Sequence, residues 1–117
     1  MNLNQIHNVY FIGIGGIGMS ALARYFKSIG KEVAGYDKTP TDITADLETL
    51  GIAIHFEDSI NAIPKDFKVE NTLVVITPAV PNYHSEWNYF IERDYQLKIE
   101  EANAAFIAAE GGFEVAK

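Results

Sequence analysis

Apolar residues recur along this chain at two spacings that alternate with each other. Short continuous apolar runs predict strands buried on both faces, and residues repeated every three or four positions predict amphipathic helices. The strand-like runs lie at residues 9–12, 32–37, 52–56, 72–77 and 96–99. The helical repeats lie at about residues 19–29, 43–50, 85–93 and 102–109, with a helical turn at 59–63 and a polar connection at 64–71.

Glycines and prolines mark the ends of these segments. Gly30 and Gly51 directly follow the first two helical repeats, where glycine commonly caps a helix. Pro78 and Pro81 interrupt the chain after the run at 72–77, which is rich in β-branched residues. The segments are therefore predicted to be separate elements joined by turns.

Strands and helices alternate through the whole chain, which predicts an α/β fold with a parallel sheet. Right-handed crossovers place helices on both faces of such a sheet. We expect a single Rossmann-like, doubly wound domain over residues 1–117, with about five strands in the order 3-2-1-4-5. Ligands of these sheets bind beyond the carboxyl ends of the strands, where the winding reverses.

A glycine-rich turn is predicted at that edge. Residues 9–20 read V-Y-F-I-G-I-G-G-I-G-M-S, in which Gly13, Gly15 and Gly18 occupy the positions of G-x-G-x-x-G. Asp37 follows at the roughly 20-residue distance of the dinucleotide fingerprint. Such glycines let backbone approach a pyrophosphate, which then lies at the unpaired N–H groups of a helix start. The pattern favours a bound nucleotide over glycines that serve packing alone.

The same turn lacks the lysine of an ATP-hydrolysing loop. In another frame it reads G-x-x-x-x-G-M-S, and Met19 stands where lysine would reach the β- and γ-phosphates. No nucleophile and base, zinc-ligand cluster or pair of catalytic carboxylates can be assembled from the sequence, so we predict no catalytic residue and no metal site. The chain is expected to bind phosphates without hydrolysing ATP.

Two further segments are expected at the same edge. Asp37 could accept hydrogen bonds from ribose hydroxyls, with Lys38 and Thr39 beside it, or it could be an ordinary polar strand end. Residues 77–81 break from the fourth strand directly into the cleft, where their backbone could meet sugar or phosphate, or they form a proline-stiffened loop. Of the three histidines, which we expect to be structural or solvated, only His55 is predicted near the ligand edge. Trp87 and Phe90 are expected in the core.

Charge and composition narrow the classes of partner. The net charge is −7 and the isoelectric point about 4.8, which argues against nucleic acid and anionic membranes because both are bound through clustered Lys and Arg. There is no cysteine, which excludes disulfides and thiolate chemistry. No secretion signal and no apolar run of about 18 residues is found, so a cytoplasmic location is expected.

Several motifs together resemble one family. G-I-G-G-I-G-M-S-A-L-A, G-Y-D, L-E-T-L-G-I and T-P-A-V-P are similar to the amino-terminal domain of the UDP-N-acetylmuramate:L-alanine ligases of the Mur ligase family, over about residues 6–99. The most specific part is the continuation at residues 16–20, which differs from what most nicotinamide dehydrogenases carry. Residues 100–117, which are acidic and alanine-rich, depart from the family pattern.

The resemblance implies a first domain that holds the UDP part of UDP-N-acetylmuramic acid in peptidoglycan synthesis. In that family a central domain supplies the ATP-binding loop and magnesium, and a third domain helps to bind the amino acid; neither is present in this sequence, so ligation is not predicted for this chain alone. The implied pyrophosphate residues are Gly13, Ile14, Gly15, Gly16, Ile17, Gly18, Met19 and Ser20. Those implied around uridine and sugar are Asp37, Lys38, Thr39, His55, Thr77, Pro78 and Ala79.

Two other functions remain open. An NAD(P)-binding domain of an oxidoreductase would carry similar glycines and a similar acidic residue. A regulatory nucleotide-sensing domain would use the same cleft but act through a partner chain.

Overall fold

The body of the protein is a parallel β-sheet, seen in a computed structural model that describes residues 5–67, 72–77, 80–81, 83–92 and 98–99. In these residues the sheet has five strands: β1 Asn8–Ile12, β2 Glu32–Tyr36, β3 Ala53–His55, β4 Thr72–Ile76 and β5 Lys98–Ile99. Their spatial order is β3-β2-β1-β4-β5, and every neighbouring pair is parallel. The predicted fold class and strand order are confirmed.

Helices cover both faces of this sheet. They are α1 Ile17–Ser28, α2 Asp42–Thr49 and α3 Ser85–Glu92. Successive side chains of a strand point to opposite faces, so Val9 and Phe11 pack with α1 and α2, whereas Tyr10 packs on the other face with Trp87 and Phe90 of α3. The core positions predicted for Trp87 and Phe90 are therefore confirmed, and β1 is buried on both faces.

Local sequence signals explain where the first two helices begin and end. Thr41 caps α2: its hydroxyl accepts the Thr44 N–H at 3.3 Å, while the Thr44 hydroxyl accepts the Thr41 N–H at 2.9 Å. Gly30 and Gly51 follow α1 and α2 with φ of 89° and 88°, a conformation that favours glycine. Their prediction as caps is confirmed.

The structure differs from the sequence prediction in three places. The helical repeat at residues 43–50 predicts that its last apolar residue, Leu50, is buried with the helix, but α2 ends at Thr49 and Leu50 is 47% exposed. The turn at 59–63 is a 3-10 turn over Ile60–Ala62, and the polar connection contains a second one over Lys65–Phe67, with Phe67 buried. Residues 96–97 of the predicted fifth strand and the predicted helix at 102–109 lie outside the described residues.

Candidate functional site

A cavity of about 360 Å³ opens at the carboxyl ends of β1, β2 and β4. This is the edge at which parallel α/β sheets bind ligands, and the volume is in the range of small-molecule sites. Six of the predicted site residues line it: Gly13, Gly15, Gly16, Asp37, Lys38 and Thr77. The structure thus brings together the three segments that the sequence singled out.

The glycine turn is held by hydrogen bonds within the protein. The Tyr36 carbonyl accepts the N–H groups of Gly13 and Ile14 at 2.8 and 3.0 Å, and Gly13 has φ of 94°. The Gly15 N–H donates to Asp37 Oδ2 at 2.7 Å, and the Gly16 N–H donates to the Gly13 carbonyl at 3.3 Å. The sequence predicts that the turn presents its amides to an anion, but the N–H groups of these four residues already have acceptors within the protein.

The amides left for an anion are those of the first turn of α1. Gly16 is the N-cap, no side chain caps the helix, and the first turn carries no acidic residue. Among the described residues, none accepts a hydrogen bond from the N–H of Ile17, Gly18 or Met19. Such a helix start carries about half a positive charge. Within residues 13–20, where the sequence predicts an anion, the N–H groups of Ile17, Gly18 and Met19 are thus the ones without an acceptor among the described residues.

Asp37 holds the turn as well as lining the cavity. Its carboxylate accepts the Gly15 N–H through Oδ2 and the Thr39 N–H through Oδ1 at 3.1 Å. Each carboxylate oxygen has a second lone pair, so the half-buried side chain can still accept a hydroxyl of a ligand. Lys38 is exposed at the cavity wall, and Thr39 is exposed beside it.

Several other predicted residues lie away from the cavity. Ile14 and Met19 are buried in the core on the α1 face, and the Ser20 hydroxyl donates to the Ile17 carbonyl at 3.0 Å. The Ile17 side chain is 83% exposed. Because the side chains of Ile14, Met19 and Ser20 are buried, these three residues can reach a ligand only through backbone. Pro78 and Ala79 lie outside the described residues.

His55 is bound to a buried carboxylate and does not line the cavity. Its Nε2 lies 2.7 Å from Glu86 Oε2, and Glu86 is fully buried. The Glu86 carboxylate also accepts the Tyr10 hydroxyl at 2.5 Å and the Ser59 N–H at 3.1 Å. The resemblance implies that His55 lies near uridine and sugar. In the structure its Nε2 contacts Tyr10 of β1 and Glu86 of α3.

This buried network shifts the titration of two tyrosines. Burial raises the pKa of the Tyr10 hydroxyl, and the neighbouring Glu86 carboxylate raises it further. Burial also raises the pKa of Tyr36, with the charges of Asp58, Glu86 and Asp37 adding to the effect. Both phenols are therefore neutral hydrogen-bond donors at physiological pH.

Sequence reasoning missed two residues of the cavity wall, Tyr36 and His84. Their rings meet edge to face with centroids 4.6 Å apart, and His84 is only 5% exposed. His84 lies directly before α3, far from the glycine turn in sequence, and nothing local distinguishes it from a structural histidine. The signal that could have found it is its place in the connection that leaves β4 at the ligand edge.

The described residues contain no group of three or more histidine and acidic side chains that could hold a metal ion. In the same part of the chain, no helix has the length and apolar character needed to cross a membrane.

Known proteins resemble this chain closely. A family model described as "Mur ligase family, catalytic domain" matches residues 8–111. The chain belongs to the Mur ligase family. Among Mur ligases with curated names, the UDP-N-acetylmuramate–L-alanine ligase of Flavobacterium psychrophilum is 76% identical over 98 residues, covering 84% of this chain and 22% of the relative. The ligase of the same name from Cytophaga hutchinsonii is 54% identical, covering 83% and 21%.

Solved Mur ligase structures share the fold. The UDP-N-acetylmuramate-alanine ligase of Thermotoga maritima matches with a TM-score of 0.68 at 35% identity, over 78% of this chain and 20% of that one. A UDP-N-acetylmuramate:L-alanyl-gamma-D-glutamyl-meso-diaminopimelate ligase from Neisseria meningitides matches with a TM-score of 0.72 at 21% identity, over 91% and 31%. The chain spans about a fifth of the length of the curated relatives it matches.

Proposed function

We propose that this chain is the amino-terminal domain of a UDP-N-acetylmuramate:L-alanine ligase and that it binds the UDP part of UDP-N-acetylmuramate for peptidoglycan synthesis. The observation that carries the proposal is the cavity at the carboxyl edge of the sheet, which is lined by Gly16, the N-cap of α1, and by Asp37. The names of relatives up to 76% identical support the choice of substrate.

In this proposal the backbone binds the diphosphate. The N–H groups of Ile17, Gly18 and Met19 have no acceptor among the described residues, and the helix start favours negative charge. Asp37 fixes the turn through the Gly15 N–H and keeps lone pairs for ligand hydroxyls. Thr77, with Pro78 and Ala79 after it, is proposed to border the sugar. The chain's task is thus to orient the substrate rather than to make a bond.

ATP and magnesium belong to other parts of the proposed enzyme. The sequence holds no G-x-x-x-x-G-K-[ST] loop, and Met19, at the position where that loop needs lysine, is buried in the core. ATP cleavage and amide formation would therefore need the central and carboxyl-terminal domains of the family, which we propose as partners of this domain in the cytoplasm.

Titration calorimetry of the chain with UDP-N-acetylmuramate, UDP and NADH tests the proposal. We expect heat of binding from both UDP compounds and none from NADH. Saturable binding of NADH without binding of either UDP compound would favour the domain of an oxidoreductase and overturn the proposal. A change of oligomeric state on adding AMP or NAD would instead favour a nucleotide sensor.

A further inference from the structure

Tyr36 brings a hydroxyl group to the wall of the cavity. The residue is only 8% exposed, and its hydroxyl has no hydrogen-bond partner among the described residues. In those residues, the side-chain atoms that lack both a hydrogen-bond partner and contact with solvent belong to Thr72 and His84. The Tyr36 hydroxyl is therefore reached by solvent, and the open space that Tyr36 lines is the cavity. It can bind a ligand there without giving up a hydrogen bond within the protein.

The ring that carries this hydroxyl is held by its neighbours. Its centroid lies 4.6 Å from that of His84, with the two rings edge to face, and 5.7 Å from that of His55. Tyr36 is the last residue of β2, and its carbonyl accepts the N–H groups of Gly13 and Ile14 at 2.8 and 3.0 Å. Ring and backbone together fix the hydroxyl relative to the glycine turn. Little conformational entropy is therefore lost when the hydroxyl binds a ligand.

The hydroxyl is a neutral donor in a negative part of the cavity. Burial raises the pKa of Tyr36, and three carboxylates raise it further, those of Asp58, Glu86 and Asp37, so the phenol keeps its proton at physiological pH. The same carboxylates would repel a phosphate placed at this hydroxyl, whereas they would not repel an uncharged carbonyl or hydroxyl oxygen. Lys38, the cation on the cavity wall, is exposed to solvent, which screens its charge.

We propose that the Tyr36 hydroxyl donates a hydrogen bond to an uncharged oxygen of the nucleotide sugar, in its uridine or its amino sugar, and so selects the part of the ligand that lies beside the diphosphate. This inference rests on the proposed function, because it takes UDP-N-acetylmuramate as the ligand. The start of α1 packs on one face of the sheet and the Tyr36 ring on the other. The two elements then bind different parts of one molecule, an anion and a neutral oxygen.

Tyr36→Phe removes the hydroxyl and keeps the ring. Because the hydroxyl makes no hydrogen bond within the described protein, the free energy of unfolding in urea should change little. The affinity for UDP-N-acetylmuramate, measured by calorimetry, should fall about threefold to tenfold, as for loss of one neutral hydrogen bond. Tyr25→Phe is the matched control, because it deletes the same group from a half-buried tyrosine of α1 that does not line the cavity.

Three ligands show which oxygen accepts the hydrogen bond. An equal loss of affinity for UDP and UDP-N-acetylmuramate places that oxygen in the uridine, and a loss confined to UDP-N-acetylmuramate places it in the amino sugar. Either result supports the inference. Pyrophosphate, which carries the diphosphate alone, should not distinguish Tyr36→Phe from the unchanged chain. Equal weakening of pyrophosphate would mean that the hydroxyl acts on phosphate, and it would overturn the inference.

The ¹³Cζ signal of Tyr36, identified by its loss in Tyr36→Phe, gives a readout that does not depend on affinity. We expect UDP-N-acetylmuramate to move this signal. An unmoved signal, or an unchanged affinity of Tyr36→Phe, while the UDP compounds bind overturns this inference and leaves the proposed function intact. A large loss of stability in urea would make the hydroxyl structural and would overturn the inference as well. If neither UDP compound binds the unchanged chain, the proposed function fails and this inference fails with it.

Discussion

Glu86 is a carboxylate that the fold removes entirely from solvent. It is 0% exposed, and it accepts hydrogen bonds from Tyr10 and the Ser59 N–H while its other neighbour is His55. A buried charge is tolerated only when it is paired and hydrogen-bonded. Glu86, on α3, therefore contacts both β1 and the end of β3. It does not line the cavity.

Removing one donor from Glu86 should destabilise the protein. Tyr10→Phe deletes the hydroxyl that binds Oε1, and leaving a buried charged group short of a partner costs about 1–3 kcal/mol. Urea unfolding at neutral pH measures the free energy of unfolding. Tyr83→Phe is the matched control because Tyr83 is 79% exposed. Equal stability of the two variants would contradict the role given to this hydrogen bond.

The raised pKa of Tyr10 predicts a loss of stability in alkali. The unfolded tyrosine ionises near its ordinary pKa of 10.0, whereas the folded one keeps its proton to higher pH. Between these two values the unfolded chain binds fewer protons, so stability falls as pH rises above about 10. Urea midpoints measured from about pH 9 to 11 should fall less steeply for Tyr10→Phe than for the unchanged chain. Parallel curves would show that Tyr10 does not carry the effect.

Gly15 is the position where a side chain should weaken nucleotide binding. A Cβ there would lie 2.8 Å from Asp37 Oδ2 and 3.2 Å from Thr44 Cγ2, so Gly15→Val must displace the carboxylate that holds the turn. We expect the affinity for UDP to fall at least about tenfold, as for a lost charged hydrogen bond. Calorimetry measures it, with Ala21→Val on the exposed face of α1 as control. Affinity kept within a few-fold would count against the site.

At the scale of elements, the sequence predicted what local patterns determine. The continuous apolar run of β4 and the glycines after α1 and α2 each act within a few residues, and the structure confirms them. The contacts that shape the site join distant positions: Gly15 with Asp37 across 22 residues, and Tyr10 with Glu86 across 76. No local pattern encodes such pairs. The sequence therefore did not predict that amides of the glycine turn are already hydrogen-bonded within the protein, or that His55 contacts Glu86 of α3.

The capping box of α2 offers a test of one element. Thr41→Ala removes the hydroxyl that accepts the Thr44 N–H, and loss of such a cap costs about 1 kcal/mol. Urea unfolding should show this loss. Thr49→Ala is the matched control, because Thr49 is exposed in the last turn of the same helix and its hydroxyl only donates to the Asp46 carbonyl. A loss of equal size in both variants would mean that the cap is not what stabilises α2.

At the scale of the whole molecule, the cavity joins elements from both halves of the sheet. Its wall takes Gly13 and Gly16 from the β1 to α1 turn, Asp37 from the end of β2, and Thr77 and His84 from the connection after β4. A ligand that contacts all of these segments binds only the folded chain, because in the unfolded chain the segments are far apart. Binding should therefore stabilise the fold as a unit rather than one loop.

Because ligand binding and folding stability are linked, the cavity gives a prediction for thermal unfolding. A ligand that binds only the folded state adds RT ln(1 + [L]/Kd), which is about 2.7 kcal/mol at a hundred times Kd. For a domain of this length, about 1 kcal/mol corresponds to roughly 4 °C. UDP-N-acetylmuramate near saturation should therefore raise Tm by about 10 °C, and UDP should raise it when supplied at the same multiple of its own Kd. At the same ligand concentration Gly15→Val, whose affinity is expected to fall at least about tenfold, should show at most about half of this rise. An undiminished rise in Gly15→Val would place the ligand elsewhere on the molecule.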